Sequence, residues 1–485
     1  MVGGTPELRA FYEQRLDWHP CADDAGTEND DFRCTTLRVP LDYANPTGRT
    51  IDLAMAMLPA SEKDERIGAL VTNPGGPGAS GVQWLFGAAD SFAGTLHARF
   101  DVVAFDPRGV GASSPVRCLD DAARDARNTA DGPAADSDRA AYKDRLDREF
   151  AAGCRQKSGD LLPFIGTRDT ARDMDVLRGA LGQAKLDYLG LSYGTYLGTR
   201  YLEQFPDRAG RIVLDGAVDP AQDRLSASVE QAVGFDIALS QFAKDCTHYA
   251  DCPLGTDPDK APAAAADFLD GLRDAPLPTH TPGRQLTANL GWSGTIGMLY
   301  GDATTWQPLR DAFTAAIRDH DGTDLLSFAD QFNGRAEDGR YDNSADAFEA
   351  ISCADSPGDT PSAERVQQAL EELGEEAPLY SRGTTAAELA RQDCALWASR
   401  ANEPLHPVKA PPGSPVLVIG NVGDPATPLA AAKRLAEQLG NAVRISLLRG
   451  GHTAFGSGSS CIDRAVATYL IHGTVSAELV QKGCV

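Results

Sequence analysis

The sequence has no apolar stretch approaching the roughly 20 residues a membrane-spanning helix needs. Its opening, MVGGTPELRA, carries no apolar segment of the kind that marks a signal peptide. Positive charge is scarce: 45 Lys and Arg stand against 69 Asp and Glu, a net charge of −24 over 485 residues. So acidic a chain argues against nucleic acid and against anionic membrane as partners. No H-E-x-x-H occurs, and no G-K-[ST] follows the glycine-rich segment at 73–78. The signatures of a zinc peptidase and of a phosphate-binding loop are therefore both missing. No internal repeat or low-complexity tract stands out. With 42% hydrophobic residues the chain can build a large core, and its length suggests about two to four domains.

Cysteine is not scarce. There are ten, an even number. Local pairing would join Cys21 with Cys34, Cys118 with Cys154, Cys246 with Cys252, Cys353 with Cys394, and Cys461 with Cys484. About 945 pairings are formally open, so spacing alone does not fix the map. Such a framework needs an oxidising compartment, and the expectation is a secreted protein whose signal peptide is not part of this sequence. A zinc site from Cys246, His248 and Cys252 has suitable ligand types, but its spacing fits no usual pattern.

Strand-like runs at 32–39 and 51–58 read as an antiparallel pair across the turn-rich DYANPTGR. The pattern then becomes β–α–β: a strand at 67–72, a helix at 82–93, a strand at 101–105. Residues 118–160 read as a charged excursion. A helix at 170–181 places Met174, Leu177 and Leu181 on one face, with Thr170 and Asp173 as its N-terminal cap. A strand at 186–191, a helix at 195–205 and a strand at 211–215 follow. From about 220 to 405 the pattern is mostly helical. A strand at 415–419, a helix at 429–439, a strand at 443–448 and a helix at 462–471 close the chain. The expected picture is an α/β fold. A mostly parallel sheet is flanked by helices and built from 1–219 and 406–485, with a helical cap at 220–405.

The segment GLSYG, 190–194, matches the nucleophile elbow G-x-S-x-G with Ser192 at its centre. Five letters of this kind arise by chance, but here a buried strand leads in and a helix leads out. A serine on such a turn is lifted into a cleft, and the helix N-terminus faces the negative charge formed in acyl transfer. The nucleophile needs a base, and the base needs an acid to orient it. His452 follows the last strand in RGGHTAFG, and Asp424 follows the strand before it in GNVGDPATP. Ser192, Asp424 and His452 thus fall in α/β-hydrolase order at equivalent strand ends. His19, His97, His248, His280, His320, His406 and His472 lack that placement. Asp215, ending the strand after the elbow, is the alternative acid. An oxyanion hole is expected from the amides of Tyr193 and of Gly76 in the loop NPGGPG.

Together NPGGPGASG, FDPRGVGASSP, GLSYGTYLG, IVLDGAVDP, ISCAD, GNVGDPATP and GGHTAFG resemble the secreted tripeptidyl aminopeptidases of the α/β-hydrolase superfamily. These are relatives of prolyl aminopeptidases, and the likeness runs from about 30 to the C-terminus. It implies release of short peptides, typically tripeptides, from a free N-terminus, with no metal or other cofactor. It also implies a helical cap over the active site. PGGPG is similar to the HGGPG loop of prolyl aminopeptidases, but Pro74 replaces the histidine, so proline selectivity does not carry over. An exopeptidase must pair the substrate's ammonium with a carboxylate; Glu349, just before ISCAD, and Asp355, its last residue, are the candidates. The partners expected are peptides with a free N-terminus, and the expected state is a monomer. Two other readings remain open: an esterase or lipase-like hydrolase on the same triad, and a catalytically inactive binding protein of the same fold.

Overall fold

The structure is a computed structural model that describes residues 6–22, 27–133, 136–358, 360–391, 393–397, 404–413 and 415–485. Its sheet strands are β1 (His19–Ala22), β2 (Glu28–Pro40), β3 (Thr50–Leu58), β4 (Gly68–Asn73), β5 (Phe100–Phe105), β6 (Leu186–Leu191) and β7 (Ala209–Asp215). A small antiparallel ribbon, β8 (Leu277–Pro278) and β9 (Gln285–Leu286), lies apart from them, and β10 (Val416–Gly423) and β11 (Ala442–Gly450) complete the sheet. The nine-stranded order is β1-β2-β3-β5-β4-β6-β7-β10-β11. The first three strands run antiparallel, β3 meets β5 antiparallel, and every pairing from β5 to β11 is parallel. This is the α/β-hydrolase arrangement the sequence pattern implied.

The central strands read as unbroken apolar runs because both of their faces are covered. Val71, Val103, Phe105 and Tyr188 pack with Met174 and Leu177 in one cluster. Their neighbours Leu70, Val102, Ala104 and Leu189 point the other way, towards Leu85, Phe455 and Tyr469. Alternation along each strand thus feeds two cores, one per face.

The sequence pattern underestimates β2, which spans 13 residues, and misses β1, which is joined to β2 by the Cys21–Cys34 disulfide. The helix assigned to 170–181 is Thr167–Ala180, so Thr170 and Asp173 lie inside it and do not cap it. Asp173 has another partner. It forms a fully buried, two-pronged pair with Arg108 of FDPRGVGASSP, at 2.7 and 2.6 Å, and accepts from the Tyr43 hydroxyl at 2.7 Å. Arg108 also donates to the carbonyls of Pro40, Leu41 and Phe164. A buried ion pair is tolerated only when its remaining donors are satisfied in this way.

The chain leaves the sheet at Asp215 and returns at Val416, yet β7 and β10 are neighbours. The intervening helices include Arg224–Cys246, Ala261–Gly271, Ala288–Leu299, Thr323–Phe332, Ser344–Asp355 and Ala363–Glu376. Most pack around a core of their own, with Phe235, Phe242, Leu269, Leu290, Trp306 and Phe313 at its centre. The excursion at 118–160 forms helices Asp121–Thr129 and Asp136–Ser158 and docks on this insertion. Asp131 accepts from the Asn289 amide at 2.7 Å, and Asp125 faces Arg284 and Arg335 at 3.2 Å each. All ten cysteines are paired in the five local disulfides. The Cys246–Cys252 bond removes both thiols from the zinc set considered above. Among the described residues no helix is long and apolar enough to cross a membrane.

Candidate active site

Ser192 stands where β6 ends and the helix Tyr193–Gln204 begins. Its φ of 54° and ψ of −125° lie in a region few side-chain-bearing residues occupy, and such strain persists only when the surroundings hold it. What holds it is visible. The Ser192 amide donates to the Asp215 carbonyl at 2.8 Å. A Cβ on Gly190 would lie 2.4 Å from the Gly194 carbonyl oxygen, and one on Gly194 would lie 2.6 Å from that of Asn73. The two glycines of the motif are therefore steric requirements of the turn.

Pairing of Asn73 with Gly190 brings the loop after β4 beside the elbow. Gly75, at φ 102°, lies directly on it: an added Cβ would fall 2.6 Å from the Leu191 oxygen and 2.9 Å from both Ser192 Cβ and the Tyr193 nitrogen. Gly76, the residue singled out from sequence, instead turns onto its own loop, with Gly78 and Ala79 as its near neighbours. Tyr193 opens its helix, where the first N–H groups have no acceptor within the helix.

Gly423 pairs with Gly450, so the loops after β10 and β11 leave the sheet side by side. One carries Asp424 and the other His452. The imidazole Nδ1 lies 2.9 and 3.1 Å from the two Asp424 oxygens. That carboxylate is fully buried and also accepts from the amides of Ala426, Thr427 and Thr453 and from the Thr427 hydroxyl. Burial pulls the His452 pKa down, but the charge and hydrogen bond of Asp424, with the charge of Asp215, outweigh it and raise it above its ordinary value. The His452 amide donates to the Tyr300 carbonyl at 2.8 Å, and the Tyr300 ring meets the imidazole edge-on at 5.1 Å. Tyr300 in turn touches Phe235 and Phe332, so aromatic side chains of the insertion run up to the imidazole. Asn421 steadies the loop by donating to the carbonyls of Gly451 and Thr453.

Asp215, weighed above as an alternative acid, does not hydrogen-bond the imidazole; it accepts from the amides of Ala454 and Phe455. Of the other histidines, His406 pairs with Glu203, and His97 contacts the Pro59 carbonyl. Glu349 faces Arg127 at 3.5 Å and Arg124 at 3.9 Å. Asp355 ends the helix Ser344–Asp355 and accepts from the amide of Thr167 at 2.8 Å and from its hydroxyl. The same hydroxyl contacts the Tyr193 phenol. Burial pushes the Asp355 carboxyl up to about 6 against those bonds. Sequence reasoning passed over Gly75, Asn421, Thr427 and Tyr300. Asn421 left a trace as a polar residue in the apolar run VLVIGNVG; Tyr300, brought in by the insertion, left none.

A sheet of this topology, with a serine elbow after one strand and an Asp–His pair after two others, defines an α/β-hydrolase. Models of known families agree: residues 68–262 match the alpha/beta hydrolase fold, and residues 379–481 match the TAP-like protein family. Serine protease Hip1 of Mycobacterium tuberculosis is 38% identical, over 98% of this chain and 92% of that protein. Carboxylesterase B of the same organism is 38% identical, over 98% and 91%. Tripeptidyl aminopeptidase of Streptomyces lividans is 32% identical, over 95% and 85%. The chain belongs to the tripeptidyl aminopeptidase-like family of α/β-hydrolase enzymes.

Proposed function

We propose that the protein is a serine exopeptidase that releases short peptides, tripeptides in particular, from free N-termini. The acyl-transfer chemistry rests on the His452–Asp424 pair and the strained Ser192. The observation that carries the peptidase reading is the likeness to relatives named serine protease Hip1 and tripeptidyl aminopeptidase. Ser192 Oγ attacks the scissile carbonyl carbon while its proton passes to His452 Nε2, the ring nitrogen not engaged by Asp424. The oxyanion draws on the Tyr193 amide and on an amide of the 73–78 loop, Gly76 in the sequence-based assignment. Collapse breaks the C–N bond, and His452 returns the proton to the leaving amine. Water, activated by the same imidazole, then hydrolyses the acyl-enzyme. No step calls on a metal or other cofactor.

The insertion at 220–405 acts as the cap in this reading, over a core formed by 1–219 and 406–485. A desolvated ammonium must be paired with a carboxylate. Asp355 suits that role better than Glu349, because Glu349 already faces two guanidinium groups that repel a second cation. The five disulfides support an extracellular location and the acidic surface supports peptide over nucleic-acid or membrane partners. A monomer suffices for the chemistry.

The relative named carboxylesterase B supports a second reading, an ester hydrolase on the same three residues. Peptides of graded length, free or N-acetylated, separate the two when products are read by mass spectrometry. The exopeptidase should release tripeptides and lose roughly a hundredfold or more in kcat/KM on acetylation. Equal turnover of free and acetylated substrates would defeat the exopeptidase and promote the esterase.

A further inference from the structure

Asp215 takes no part in the steps above, yet it touches both halves of the site. Its side chain is fully buried at the end of β7. Its carbonyl accepts the Ser192 amide at 2.8 Å. Its carboxylate accepts the Ala454 amide at 2.9 Å and the Phe455 amide at 2.7 Å. Those two residues directly follow His452 and Thr453. The next residue in the chain, Gly216, has φ 66°, and a Cβ there would lie 2.9 Å from Thr453 Cγ2 and 3.5 Å from His452 Cε1. The backbone at 215–216 is therefore packed against the elbow on one side and the histidine turn on the other.

We propose that Asp215 is a positioning residue that keeps the turn carrying the base in register with the elbow carrying the nucleophile. The reading rests on the Ser192–His452–Asp424 assignment. Its physical basis is the cost of the group. An ionised carboxylate with no solvent contact is expensive to keep, and burial pushes this one up to about 6 even with two amide donors. Hydrophobic packing alone would fill the space at lower cost. What a carboxylate adds is a two-amide clamp on the residues after His452. Its charged neighbours are Asp424 and His452 itself. Asp424 fixes the imidazole through Nδ1, and Asp215 fixes the backbone beyond it. The two acids act on different atoms of one loop.

The test is a graded series, Asp215→Asn and Asp215→Ala, measured per active site by burst titration with a chromogenic acyl substrate. Misfolded protein lowers the burst amplitude and leaves the rate per site untouched. The amide keeps one acceptor oxygen, so Asp215→Asn should lose about tenfold in kcat. Asp215→Ala, with no acceptor, should lose about a hundredfold, and KM should stay within about twofold in both. Loss of the neighbouring anion should also move the acid limb of kcat/KM to lower pH. Wild-type kcat per site in Asp215→Ala, with an unmoved acid limb, overturns the proposal. So does a dead Asp215→Asn beside an active Asp424→Asn, which would make Asp215 the triad acid. Failure of a serine-directed phosphonate to label Ser192 in the wild-type enzyme is a separate result, and it removes the triad assignment itself.

Discussion

At the scale of single residues, the site depends on where side chains are forbidden as much as on where they act. Gly75→Ala would press a methyl group onto the Leu191 carbonyl, Ser192 and the Tyr193 amide, at a φ of 102° that alanine resists. The elbow and the adjoining amide donor would both shift. Steady-state kinetics should show kcat down by about 10²-fold or more, comparable to losing one oxyanion donor. Ser192→Ala makes no such intrusion. It should fold normally, melt within about a degree of wild type, and lose on the order of 10⁶-fold in kcat. Full activity in that variant would exclude Ser192 as the nucleophile. In the proposed mechanism His452 sets the pH response: the base would work only when neutral, and its pKa is raised by Asp424 and Asp215 over the opposing effect of burial. Activity should therefore fall on acidification with a midpoint above the ordinary histidine value, and chelators should leave it unchanged.

At the scale of elements, the helix Thr167–Ala180 shows what a sequence reveals and what it conceals. Its apolar face, with Met174 and Leu177, was legible from spacing alone. Its start was not. Its N-cap, Gly166, contributes no side chain, and the acceptor for the Thr167 amide is Asp355, 188 residues away. No local pattern encodes a cap borrowed from an insertion. The same contrast runs through the site. The elbow, the Asp424 loop and the His452 loop are each written in a few contiguous residues. Tyr300, the contact of Asp355 with Thr167 and the two-sided hold of Asp215 depend on long-range packing and were not legible. The borrowed cap has a measurable cost. With its carboxyl pushed up to about 6 by burial, Asp355 stays protonated in the folded protein while the unfolded chain releases its proton near pH 3.9. Between those values the unfolded state binds fewer protons, so stability should decline as pH rises from about 4 to 6. Asp355→Asn should flatten that part of a stability-versus-pH curve. An unchanged slope would mean the group titrates normally.

At the scale of the whole molecule, five short-range disulfides and a net charge of −24 pull in opposite directions. Each bridge restricts the unfolded chain, for about 2–4 kcal/mol when well formed. Self-repulsion among carboxylates destabilises the compact state and is screened by salt. Reduction should therefore lower the melting temperature most at low ionic strength, with a partial recovery in about 0.5 M NaCl. Calorimetry with and without reductant at two salt concentrations reads this directly, and a melting temperature insensitive to reductant would contradict it.

The interrupted sheet also orders events during synthesis. β7 and β10 are hydrogen-bonded neighbours, but residues 216–415 must be made between them. A nascent chain emerging N-terminus first carries the elbow early. Asp424 and His452, the proposed acid and base, are made only after the insertion, beyond position 423. Closing so distant a pair is slow, because loop entropy is lost before contacts repay it. On the proposed triad, the serine has no partner to take its proton until β10 docks beside β7. On that proposal the polypeptide stays inert while it is being made, and docking of β10 and β11 completes the site.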